Sequence, residues 1–163
     1  MNESVKNILV TGGAGFIGSS LVPVLLDKGY CLNVIDHLST GKKENILPFY
    51  SNTNFKFVEL DLLDVSKLKQ VVNESDLIYH LAANVEVRKG ELDTEIDFLN
   101  NIVATRNLLE SMRTSDKCKK IIFTSSSVVY GEPITIPTPE GYGPLNPISL
   151  YGASKLACEA LIS

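Results

Sequence analysis

Thr11-Gly12-Gly13-Ala14-Gly15-Phe16-Ile17-Gly18 is the stretch that decides how this 163-residue chain folds. A short apolar run, Asn7 to Val10, precedes it. A helix-period segment from about Phe16 to Lys28 follows, with Gly29 placed to cap it. Gly13, Gly15 and Gly18 match Gly-x-Gly-x-x-Gly, and Gly12, Gly15 and Gly18 match the wider Gly-x-x-Gly-x-x-Gly. Glycine is required where a backbone must turn tightly and approach a pyrophosphate, whose charge then meets free N–H groups and the positive end of the helix. A ligand-free glycine turn has the same letters, but the strand before, the helix after and an acid in register favour a dinucleotide.

That acid is Asp36, at the end of the second apolar run and 18 residues beyond Gly18. A carboxylate there accepts hydrogen bonds from the adenosine ribose and repels a 2′-phosphate, so NAD is expected in preference to NADP. Asp36-His37-Leu38-Ser39-Thr40-Gly41 also reads as a turn in its own right. Asp61, just past the third run, is placed for the adenine amino group, and is equally a loop acid when taken alone.

Further along, apolar runs at Cys31–Ile35, Phe55–Leu60, Leu77–His80 and Lys120–Phe123 alternate with helical segments. That is the sequence form of parallel βαβ units: one α/β domain, a Rossmann-type doubly wound parallel sheet of about five strands. Asp64 is an N-cap candidate for a helix to Val72. A long helix is predicted over Thr94–Met112, with Phe98, Ile102, Thr105, Leu109 and Met112 on one apolar stripe and Leu99, Val103 and Leu108 widening it. The last helix starts near Ser149. Between Gly131 and Pro147 stand five of the seven prolines, so that stretch is a loop, and a long loop inside a compact domain is more often functional than idle.

Composition narrows the partners. A net charge of −4 with no basic stripe argues against nucleic acid, and no run is long enough for a signal segment or a membrane span, so a cytoplasmic chain is expected. Cys31, Cys118 and Cys158 are odd in number and irregularly spaced, which fits small core residues and neither a disulfide framework nor a metal site.

Tyr151-Gly152-Ala153-Ser154-Lys155 puts a phenol and an ammonium on one helix face. A nearby cation favours phenolate, so the spacing predicts a Tyr151 phenol drawn below its ordinary range and able to act as a base. Alone, the pair reads more readily as surface packing. Thr124-Ser125-Ser126-Ser127-Val128-Val129-Tyr130-Gly131, directly after the fifth strand, turns that reading, because a hydroxyl there can hydrogen-bond the oxygen that Tyr151 deprotonates.

Taken together, TGGAGFIG, Asp36, Asp61-Leu62, His80-Leu81-Ala82-Ala83, Asn101 in Asn-Ile-Val-Ala-Thr, TSSSVVYG and YGASK resemble the extended short-chain dehydrogenase/reductase family, in its NAD-dependent nucleotide-sugar epimerase/dehydratase branch. The resemblance implies that Gly12, Gly15, Phe16, Ile17 and Gly18 hold the pyrophosphate and that Asp36 and Ser39 hold the adenosine ribose. It implies Asp61 and Leu62 beside adenine, and Leu81, Ala82, Ala83 and Asn101 along the cofactor's path. Ser126 would be the catalytic hydroxyl, Tyr151 the base, and Lys155 the grip on the nicotinamide ribose. The implied reaction is epimerisation at C4 of a UDP-hexose of the glucose/galactose type through a 4-keto sugar, in a homodimer formed by the helices around Asn101 and Tyr151. Ala104 stands where the family usually has glycine. Ser127 and Val128 stand where its 4,6-dehydratases carry an Asp-Glu pair, which favours an epimerase. A reductase or decarboxylase of the same branch, and a non-catalytic NAD-binding module, are the alternatives. With five strands before Ser163 where about six are usual, the C-terminal substrate domain is expected to be absent, and the chain alone is expected to bind NAD but turn over sugar poorly.

Overall fold

The computed structural model describes residues 5–86, 90 and 92–163. Strand β1 (Asn7–Thr11) leads through the glycine turn into α1 (Phe16–Asp27), and β2 (Cys31–Asp36) follows. Two short 3₁₀ turns precede β3 (Phe55–Glu59), α2 (Val65–Asn73) and β4 (Leu77–His80). Then α3 (Thr94–Asp97), a wide π turn (Phe98–Val103) and α4 (Ala104–Arg113) succeed one another without a gap. Strand β5 (Lys120–Phe123), a 3₁₀ turn (Ser127–Tyr130) and α5 (Leu150–Ile162) complete the order. Gly29, at φ +83°, ends α1 as its sequence position predicts, and Asp64 caps α2 by accepting from the Lys67 N–H.

The five strands form one parallel sheet in the order β3-β2-β1-β4-β5, as the alternating pattern implies. The chain winds outward from β1 to β3, then returns to pair β4 with the other side of β1. The reversal of strand order falls between β1 and β4, and ligands of such sheets gather beyond the carboxyl ends of the strands at that point.

The described residues divide into two compact units. The first comprises the sequence up to Ala82 together with Asn107–Thr124, and holds the sheet, α1 and α2. Its core is aliphatic: Ile8, Leu9, Val10, Val22, Val34, Ile35, Leu68, Ile78 and Leu108 are all at 1% exposure or less. The second comprises Ala83–Arg106 and Ser125–Ser163. In it α5 packs against the π turn and the 3₁₀ turn, and the only buried apolar side chains among its described residues are Ala104, Val129 and Cys158.

The apolar stripe is buried along only part of its length. Thr105, Leu108 and Met112 are buried, but Phe98 is 54% exposed and Leu99 is exposed too. At the start of the stripe the buried residues are Asp97, Asn101 and Ala104 instead. Polar side chains occupy the inner face at its start because Asp97 Oδ1 accepts from Asn101 Nδ2, which offsets part of the penalty that hydropathy alone assigns to them. The π turn, invisible to a single helical period, lies across the same stretch.

Candidate active site

In the first unit, the glycine turn is shaped by what it cannot hold. Gly12 sits at φ +67°, and a Cβ there would fall 2.8 Å from the Ala82 nitrogen. A Cβ on Gly18 would fall 2.4 Å from the Gly12 carbonyl oxygen and 2.5 Å from the Gly13 Cα. The bare backbone therefore lets α1 start directly over the turn. Its N-cap, Gly15, offers no side-chain hydrogen bond, and Phe16 and Ile17 are exposed, Phe16 at 89%. Open N–H groups at a helix start form a receptacle for a diphosphate.

Asp36 is buried, and its carboxylate accepts the Ala14 N–H at 3.0 Å on one oxygen and the Leu38 N–H at 2.8 Å on the other. The residue starts a turn, as its sequence suggests, and stands beside the glycine motif. Each oxygen keeps a second lone pair for a ribose hydroxyl. The Ala14 carbonyl in turn accepts from Asn45 Nδ2 at 2.8 Å and from the Lys42 N–H at 3.1 Å, so the segment after β2 is tied to the glycine turn. Ser39 is exposed on that segment. Asp61 is exposed, its carboxylate turned back onto the Leu63 N–H, and Leu62 is buried with its carbonyl held by Asn107 Nδ2.

A pair that the sequence does not single out fixes the other wall. Thr11 Oγ1 accepts from the N–H groups of Leu81 (3.2 Å) and Ala82 (3.1 Å), so its one proton goes to His80 Nδ1 at 2.8 Å. Leu81 and Ala82, both half-buried, are thereby held beside Gly12. The only local signal is a threonine closing β1.

In the second unit, Ser149 caps α5 by accepting the Gly152 N–H at 3.0 Å. A Cβ on Gly152 would lie 3.0 Å from the Val128 carbonyl oxygen, so glycine lets α5 press against the 3₁₀ turn. The Ser126 hydroxyl is thereby near enough to the Tyr151 phenol to act on it, and Lys155 is buried one turn beyond Tyr151. Ala83 is half-buried. Asn101 is buried, its amide committed to protein partners: Oδ1 accepts the Asn84 N–H, and Nδ2 donates to Ser154 Oγ and Asp97 Oδ1.

The electrostatics differ from the sequence expectation. Burial pushes the Tyr151 phenol above its ordinary value; the Ser126 hydrogen bond opposes the rise and the Asp97 carboxylate adds to it. Burial lowers the Lys155 ammonium, with Cys158 and Glu159 opposing. The phenol drawn down by Lys155 is therefore not what the chain's own groups produce, because desolvation outweighs a cation one helical turn away.

All three cysteines are free, two of them buried. Among the described residues no helix is long and apolar enough to cross a membrane, and no group of three or more His, Cys, Asp or Glu is arranged around a metal position.

Sheet order, glycine turn, buried acid and Ser-Tyr-Lys constellation define the class of extended short-chain dehydrogenase/reductases. The chain belongs to the family described as GDP-mannose 4,6 dehydratase, whose model matches residues 9–163. It is 40% identical over 157 residues to a putative UDP-glucose 4-epimerase of Methanocaldococcus jannaschii, an alignment covering 95% of this chain and 49% of that protein. Among solved structures it is similar to the UDP-Glc/GlcNAc 4-epimerase of Campylobacter jejuni (TM-score 0.88, 37% identity, 96% of this chain and 47% of that one). It is similar also to the UDP-glucose 4-epimerase of Brucella ovis in complex with NAD (TM-score 0.87, 35% identity, 96% and 46%). The chain spans about half the length of these relatives.

Proposed function

We propose that this chain carries the NAD-binding turn and the catalytic residues of a nucleotide-sugar 4-epimerase acting on a UDP-hexose. The observation that carries the reading is the juxtaposition of the Ser126 hydroxyl and the Tyr151 phenol, with Lys155 buried one turn on. Ser126 orients the sugar 4-hydroxyl, and Tyr151 takes its proton as the C4–H bond breaks and the C4 carbonyl forms. Lys155, buried one turn beyond Tyr151, would hold the ribose next to the nicotinamide. Bound there, NAD would supply the reversible hydride acceptor that epimerisation at C4 needs. Gly12, Gly15, Phe16, Ile17 and Gly18 receive the diphosphate, Asp36 and Ser39 the adenosine ribose, and Asp61 and Leu62 the adenine; Leu81, Ala82 and Ala83 line the way toward the nicotinamide, with Asn101 supporting that segment through Asn84. Ser127 and Val128 supply no acid for the elimination that a dehydratase requires. The test is to incubate the protein with NAD and UDP-galactose, UDP-glucose or UDP-glucuronic acid. Interconversion of the two hexoses supports the reading, and release of carbon dioxide from the uronic acid transfers it to a decarboxylase.

NAD is expected to bind more tightly than NADP, since a buried Asp36 carboxylate at the adenosine ribose would repel a 2′-phosphate. Asp36→Ala should weaken NAD by about 1–2 kcal/mol, the worth of hydrogen bonds to a charged group, and narrow the preference. Calorimetry with both cofactors measures this, and equal or tighter NADP binding by the unaltered chain contradicts it.

We also infer a homodimer through the outward faces of α3, the π turn and α5. Phe98, Ile102, Leu150 and Ala153 line a cavity of about 390 Å³ there, with Leu150 at 45% exposure. Leu108 and Met112, buried in the sheet unit, take no part in that face. Sedimentation is expected to show a dimer, and a strict monomer at high micromolar concentration would count against it.

A further inference from the structure

Asp97 is 2% exposed, and no role in the proposed reaction uses it. Its Oδ1 accepts from Asn84 Nδ2 at 2.8 Å and from Asn101 Nδ2 at 3.3 Å. Its Oδ2 has no hydrogen-bond partner among the described residues, and a Cβ on Gly90 would lie 2.2 Å from that oxygen. A buried carboxylate with one oxygen unpartnered is costly, and such a group in a folded protein requires a reason.

The reason lies in the direction of the hydrogen bonds. An amide can be turned either way round, and Asn101 alone would have no preferred orientation. A carboxylate only accepts and the Asn84 N–H only donates, so Nδ2 of Asn101 must face Asp97 and Oδ1 must face Asn84. The second Nδ2 hydrogen then goes to Ser154 Oγ at 2.8 Å, which forces the Ser154 hydroxyl to donate its own proton to the Tyr151 carbonyl oxygen at 2.7 Å. Each bond in the series has one direction because its first acceptor cannot donate. Asn101 and Ser154 are both 2% exposed, so water does not compete for these bonds.

We propose that Asp97 is a positioning residue for Tyr151: its buried carboxylate, acting through Asn101 and Ser154, fixes the turn of α5 that carries the phenol toward Ser126. This rests on the reading of Tyr151 as proton acceptor. A second effect runs through space. The elements packed against α5 bring Glu95 and Asp97 on α3 and Tyr130 on the 3₁₀ turn, while Lys155 stands on α5 itself; of these, Asp97 is the one whose charge favours the neutral phenol, and the Ser126 hydroxyl favours phenolate. A neutral isostere therefore loosens the relay and removes that charge together.

The test is Asp97→Asn, with Tyr151→Phe used to assign the Tyr151 signal in an ultraviolet titration of the tyrosines. In Asp97→Asn, Tyr151 is expected to titrate at lower pH than in the unaltered protein. Tm should be unchanged or higher, because a buried charge with an unpartnered oxygen is gone. In the active protein with NAD, kcat should fall by about 10- to 100-fold with little change in KM, the cost of a misplaced reacting group. An unmoved Tyr151 titration in the folded variant overturns the proposal. Ser154→Ala cuts the relay but keeps the carboxylate: it should lower kcat and leave the titration in place, and unchanged kcat there overturns the proposal even where Asp97→Asn does not fold. The titrations need no substrate, so they stand or fall apart from the proposed activity, whose own failure would show as full turnover by Tyr151→Phe.

Discussion

Tyr151→Phe is expected to lower nucleotide-sugar turnover by about 10²–10⁴-fold, the usual worth of a positioned general base, while NAD affinity stays nearly unchanged. The substitution removes one oxygen and keeps the ring, so the half-buried site on α5 is still filled and Ser149 still caps the helix. What is lost is the proton acceptor and the side-chain partner of Ser126. Burial holds the phenol above its ordinary value, so only a small share is phenolate at neutral pH, and that share grows as pH rises. Activity of the unaltered protein should therefore climb with pH through the neutral range, and the residual activity of the Phe variant should lose that slope. Conversion of UDP-galactose into UDP-glucose, followed across pH in both proteins, reports both quantities. A Phe variant with most of its rate and the same pH slope would remove Tyr151 from the chemistry.

The second large effect is expected at Gly18. A Cβ there meets backbone, the Gly12 carbonyl oxygen at 2.4 Å and the Gly13 Cα at 2.5 Å, and neither can rotate aside as a side chain would. Gly18→Ala must push α1 off the turn or distort the turn itself, at about 1–3 kcal/mol for overpacking in a well-packed site. The N–H groups proposed to receive the diphosphate move with it, so NAD affinity should fall together with Tm. Gly15→Ala is the contrast: its nearest contact is the Gly12 carbonyl oxygen at 3.2 Å, which a shift of a few tenths of an ångström relieves. Melting curves and NAD calorimetry on the two variants should separate clearly. Equal, small effects would mean that the turn is less constrained than its distances say.

Much of this fold is legible in the amino-acid sequence. The strands match their short apolar runs to within a residue at either end, because β-branched runs bounded by glycine and acidic turns have few other ways to fold. The serine after β5 and the Tyr-Gly-Ala-Ser-Lys helix meet as their order suggests. What stays illegible has one cause. The Thr11–His80 pair spans 69 residues and the Asn101–Ser154 pair spans 53, and no local period registers a partner so distant. The same blindness overlooks Asp97, since hydropathy ranks a carboxylate as a surface group wherever its partners are unseen. It also sets the Tyr151 phenol too low, because spacing reveals a neighbouring ammonium but not the depth of burial.

The scarcity of buried apolar side chains around Tyr151 governs how that unit breathes. The sheet is held by aliphatic packing spread over many residues, which yields only when much of it yields together. Ala83–Arg106 and Ser125–Ser163 rest instead on directed bonds among Asp97, Asn84, Asn101, Ser154 and the Tyr151 carbonyl, with Ala104, Val129 and Cys158 as their buried apolar support. Directed bonds can be exchanged singly for bonds to water, so this part opens locally at lower free energy than the sheet. The glycine turn stands on the aliphatic unit, and the residues proposed for proton transfer stand on the other. Order near Tyr151 is therefore a property that a bound ligand or a second subunit can strengthen, whereas the sheet arrives with its order complete.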